Sequence, residues 1–161
     1  MIDRLLEDKE SLKADQEILD NHVKENLLED GASIDYQERN ALHYHVYNLE
    51  TWLEIALLEP DYIDQVSNSY DFLIKQLKAD NIYNQFAKSK QKIDEKRAKG
   101  GFSYAKKGGT FDTKRVTRSV ISYSTLKQED LESQFAAKYL DKKKIKQSLF
   151  QYIRYFLWKN K

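Results

Sequence analysis

Arg39 and His45, separated by five residues in the run RNALHYH, are the pair in this chain best suited to handling a phosphate. A guanidinium is permanently charged and offers a planar fork of donors to phosphate oxygens, while an imidazole exchanges its proton near neutral pH. Together they could bind a phosphodiester and move a proton on it. A second constellation lies further along, where Lys88, Lys90, Lys92, Lys96, Arg97, Lys99, Lys106, Lys107, Lys114, Arg115 and Arg118 are interleaved with Phe102, Tyr104 and Phe111. Cations neutralise phosphates and release counterions, glycines let a backbone approach closely, and aromatic rings can stack on bases. The pattern points to contact with nucleic acid or another polyanion. Its contacting residues are Lys96, Arg97, Lys99, Lys106, Lys107, Lys114, Arg115 and Arg118, with Phe102 and Tyr104. The same composition also fits lysines that keep a surface soluble and aromatics that pin a loop to the core.

The run RNALHYH resembles the arginine-to-histidine motif of HEPN ribonucleases, in which the pair lines a composite site between subunits. The resemblance covers seven residues. It implies a dimer in which Arg39 and His45 bind and activate the scissile phosphate of RNA, with Asn40 supporting the arginine. As plain helix residues, both would instead be surface or partly buried polar side chains. Other catalytic routes find no support. Glu29 with Asp30, and Glu129 with Asp130, are adjacent and so point to different sides of a helix. His22, His43 and His45 lack the HExxH spacing, and there is no P-loop, nucleophile elbow or dinucleotide fingerprint. Neither a metal nor a cofactor is expected.

Charge is divided along the chain. Residues 1–84 hold 19 acidic against 7 basic side chains and residues 85–161 hold 7 against 20, so a net +1 conceals halves of −12 and +13. Such a split suits either halves that attract one another or a basic half that meets a polyanion. At 161 residues the chain has the length of one domain with one core. The absence of cysteine excludes disulfide scaffolds and thiolate metal sites. The opening MIDRLLEDKE has acidic residues where an export signal needs a basic start and an apolar stretch, so none is expected. Trp52 to Leu58 is interrupted by Glu54 and is too short to cross a bilayer.

These residues must be positioned mainly by helices, because Pro60 is the only proline and there are only five glycines to break them. Leu5, Leu12 and Leu19 with Ile18, Val23 and Leu27 predict an amphipathic helix from Ile2 to about Leu28, stopped at Gly31. Ser33 or Asp35 can cap a second helix running through Tyr44, Leu49, Trp52 and Leu57 to Pro60. A third carries Tyr62, Val66, Tyr70, Leu73 and Leu77, continues past Ile82 and Phe86, and thins into KSKQKIDEKRAK with Ile93 as its one anchor. The segment GGFSYAKKGGTFDTKR predicts a short β-hairpin or ordered loop with lysines at its tip. VTRSVISYSTL suits helix or strand, with helix preferred. Thr125 with Gln128 can form a capping box that opens a helix towards Leu140. A last helix contains Ile145, Leu149, Ile153 and Phe156, making an αα-hairpin with a loose helix-turn-helix outline.

The fold expected is therefore all-α, a bundle of about five helices with a Gly-rich hairpin or loop insertion near residues 100–113. An acidic part, 1–99, and a basic part, 100–161, would form one compact domain. The leading functional expectation is a small non-enzymatic interaction or assembly protein, self-associating, whose basic half contacts nucleic acid or an acidic protein surface. Its place would be the cytoplasm, or a virion interior if of phage origin, with no membrane partner. The HEPN-like dimeric ribonuclease is the alternative.

Overall fold

The computed structural model describes residues 9–127 and Leu140. Six α-helices lie among them: α1 (Lys9–Asn26), α2 (Ile34–Arg39), α3 (Leu42–Leu58), α4 (Ile63–Lys78), α5 (Lys92–Lys99) and α6 (Thr117–Lys127). Short 3-10 turns at Pro60–Tyr62, Ser103–Ala105 and Thr113–Val116 complete the regular structure. No strand occurs among the described residues, and no helix there is long and apolar enough to cross a membrane.

α3 is the central element, packing against α2, α4 and α6. Leu42, Leu49 and Leu53 on it are fully buried, each contributing roughly 1.5–3 kcal/mol relative to exposure. Val66, Leu73 and Leu77 join the same core from α4, Val120 from α6, Val23 from α1 and Leu27 from just past its end. α1 is also tied down by a polar clasp, in which the Tyr62 hydroxyl donates to Asp20 Oδ1 at 2.8 Å.

The predicted second helix is in fact two. Ser33 does cap it, accepting the Tyr36 amide at 3.2 Å, but Asn40 adopts left-handed angles (φ 56°, ψ 49°) and ends α2 after one and a half turns. Asparagine tolerates this region better than most residues, and its side chain here donates across the fold to the Asn84 carbonyl at 2.9 Å. Gly31 precedes the pair in a left-handed turn (φ 83°), where a Cβ would collide with the Asn68 carbonyl. The predicted third helix likewise stops early, at Lys78. The chain then passes through left-handed Asp80, Asn84 and Phe86 before α5 begins.

Two further expectations change. Ile93 is 46 % exposed while its neighbour Asp94 is 2 % exposed, so a carboxylate, not the apolar side chain, anchors α5. Thr125 lies inside α6 with its hydroxyl bonded back to the Ile121 carbonyl at 2.9 Å, so it does not open a new helix. The glycine segment takes the loop form. Its one ladder-like contact is an isolated bridge between Gln85 and Gly109. VTRSVISYSTL is helical because burial overrides its β propensity: α6 is enclosed on most sides, and its hydroxyls can bond to their own backbone. The αα-hairpin expected at the C-terminal end lies outside the described residues.

Candidate functional site

Arg39 and His45 do not converge. Arg39 ends α2 with its Nε 3.1 Å from Asp94 Oδ2, a second contact to Asp35, and its guanidinium 5.0 Å from the centre of the Tyr44 ring. His45 is fully buried in α3. Its Nδ1 accepts the Ser33 amide at 3.2 Å, which leaves the proton on Nε2, and Nε2 donates to the Ser69 carbonyl at 3.2 Å. Burial pushes its pKa down to about 4. The imidazole is therefore neutral at pH 7, with both nitrogens engaged inside the protein, and has none to offer a substrate. The side chain of Asn40, expected to support the arginine, bonds to Asn84 instead.

The arginine cluster around Asp94 holds α5 in place. Beside Arg39, Asp94 accepts from Ser89 Oγ at 2.6 Å and from the Tyr44 hydroxyl at 3.1 Å, and Arg97 lies 3.9 Å away. The four partners come from α2, α3, α5 itself and the turn before it. Arg97 also donates to the Tyr44 hydroxyl. Arg118, on α6, reaches Glu54 on α3 at 3.1 Å. Two of the expected contact residues, Arg97 and Arg118, are thus already engaged by carboxylates.

The lysines behave differently. Lys96 and Lys99 on α5, Lys106 and Lys107 in the glycine loop, and Lys114 in the last 3-10 turn are all exposed. Lys107 meets Lys88 and Lys90 along a groove of about 620 Å³ between the 87–91 turn and the glycine loop, with Glu38 as the one acidic residue among the described residues lining it. The structure brings these three lysines together although Lys107 is distant from the others in sequence.

A second concavity, a pocket of about 320 Å³, lies where the glycine loop folds over the start of α3. Tyr104 stacks on His43 with ring centroids 4.1 Å apart and planes 23° from parallel. Arg115 sits 5.6 Å from the centre of the Tyr104 ring, and Asp112 lines the same pocket. Phe102, 54 % exposed, stands edge-on to Tyr104 at 5.9 Å. His43 is pushed down to a pKa of about 4, first by burial and then by Arg115 and Arg97, so it too is neutral at pH 7. The pocket wall includes Phe86, fully buried and left-handed at φ 59°, a conformation a bulky side chain adopts only when its surroundings impose it.

Sequence reasoning weighed His43 only as a metal ligand and passed over Asp94 and Glu38. Asp94 did leave a signal: an acidic residue within a strongly basic run is where a counter-charge for arginines would sit. For His43 the partner, Tyr104, is too remote in sequence for any local pattern to reveal it. Among the described residues no three His, Asp or Glu side chains gather as metal ligands. Comparison with protein-family models, with curated proteins and with solved structures found no match to this chain.

Proposed function

We propose that this is a non-enzymatic interaction protein whose basic face binds a polyanion, nucleic acid foremost, along the Lys88–Lys90–Lys107 groove. The observation that carries the reading is the division of labour among cations. Ion pairs between described residues are made by arginines, whereas the groove lysines face solvent with Glu38 as the one carboxylate among the described residues there. Lysine is a strongly hydrated point charge on a flexible stem, suited to a phosphate backbone whose sequence does not matter. Exposed lysines of the glycine loop and α5 extend the same basic character around the groove.

The test is an anisotropy titration with labelled single-stranded DNA, duplex DNA and RNA over a range of salt concentrations. Three phosphates neutralised on a single strand give a slope of log Kobs against log salt of roughly −2. Replacing Lys88, Lys90 and Lys107 together by glutamine should flatten that slope and weaken binding to every sequence alike. Absence of salt-sensitive binding to all three nucleic acids would overturn the nucleic-acid reading and leave an acidic protein surface as the partner.

A further inference from the structure

We propose that the pocket formed by His43, Tyr104 and Arg115 receives a single nucleobase, so that the protein prefers single strands whose bases can be turned outward. This rests on the polyanion reading above and adds to it a site that recognises bases where the lysine groove recognises phosphates.

Of the four arginines in the described residues, Arg39, Arg97 and Arg118 each have a carboxylate within 4.0 Å, and Arg115 has none. Its interaction is with the face of Tyr104, and it is half-buried. A partly desolvated guanidinium whose donors meet no carboxylate is poised for acceptors on a ligand.

The surroundings suit a planar heterocycle better than a bare phosphate. A volume of about 320 Å³ is at the lower end of small-molecule sites, large enough for a base with its sugar. The walls combine aromatic surface from Tyr104, Phe86 and Phe111 with hydroxyls from Ser103 and Thr110. Asp112, whose Oδ1 accepts the Lys114 amide at 3.1 Å, adds an acceptor that a site built for phosphate alone would exclude. Donor and acceptor side by side match the edge of a base. The His43–Tyr104 stack adds aromatic surface to the pocket, and the exposed Phe102 sets another ring beside it. Bases within a duplex are stacked on their neighbours and paired, so entry requires a single strand or a flipped nucleotide.

The experiment compares a fluorescein-labelled DNA single strand with an abasic strand of equal length and backbone, using the full chain. The base-bearing strand should bind about tenfold more tightly, toward the lower end of what one stacked base contributes. Arg115→Gln, Tyr104→Leu and Phe102→Ala should each reduce the ratio of the two affinities, whatever Arg115→Gln also takes from both strands through its lost charge. Phe102→Ala keeps the comparison interpretable if a pocket variant folds poorly, because its side chain is exposed. Equal affinity for the two strands, or a preference that survives Arg115→Gln and Tyr104→Leu, overturns the pocket and leaves the groove reading intact. Binding of neither strand overturns both.

Discussion

His45 lies among aromatic rings with both nitrogens occupied, and burial lowers its pKa from 6.5 to about 4. In the unfolded chain it regains the ordinary value and takes up a proton that the folded protein refuses. Between about pH 6.5 and 4 the unfolded state therefore binds more protons, so stability is fully present above that window and falls as the pH falls through it. A displacement of this size amounts to on the order of 3 kcal/mol at the acid end. His43 acts in the same direction, but it is half exposed and adds less. Urea midpoints measured from pH 7 down to pH 4.5 should decline, and His45→Gln, which cannot titrate, should decline less steeply. The variant should also lose roughly 1–3 kcal/mol at neutral pH, because at least one of the Ser33 and Ser69 backbone groups loses its partner. Parallel pH profiles for the two proteins would show that His45 is not the group responsible. At this scale the sequence offered residue types without their surroundings. Arg39 and His45 have the right chemistry at the right spacing, and only the burial of the one and the carboxylates around the other decide what they can do.

Helix α5 shows why apolar periodicity misjudges some elements. KIDEKRAK has one apolar residue of appreciable size, Ile93, which pattern reasoning takes for the inward side. The inward side is instead the one bearing Asp94, because two guanidiniums, the Tyr44 hydroxyl and the Ser89 hydroxyl enclose its carboxylate. Removing one member of a buried ion pair leaves the other charge uncompensated and costs about 3–5 kcal/mol. Asp94→Asn should therefore lower the melting temperature strongly, whereas Ile93→Ala should change stability by no more than about 0.5 kcal/mol. The reverse order in thermal melts would mean that α5 docks through Ile93. Where helices bury broad apolar faces, as α3 and α4 do, their existence was legible in the sequence. The break at Asn40 and the end of α4 at Lys78 were not, since both are set by loop 79–89 packing back on residues remote in the chain.

Among the described residues the two cation types part company. Arg39, Arg97 and Arg118 are used within the protein, where a planar fork matches a carboxylate, and Lys88, Lys90 and Lys107 are left at the surface. The charge split between the halves was plain from composition, but composition treats both residues as +1 and so could not separate the internal part from the outward part. Nor could it locate the pocket, which exists only because the glycine loop is fastened to the start of α3. That fastening runs through Gln85. Ala41 provides no side-chain cap for α3, and Gln85 Oε1 instead accepts the Leu42 amide at 2.7 Å. The backbone of the same residue donates to the Gly109 carbonyl at 2.9 Å and accepts from the Gly108 amide at 2.8 Å. Leu42 and Gly108, far apart along the chain, thus depend on one side chain and its own peptide groups. In hydrogen–deuterium exchange the two amides should open together, with matching protection factors, as parts of one cooperative unit. Gln85→Ala should accelerate both by a similar ratio, so that loosening the loop at its root also frays the helix beneath it.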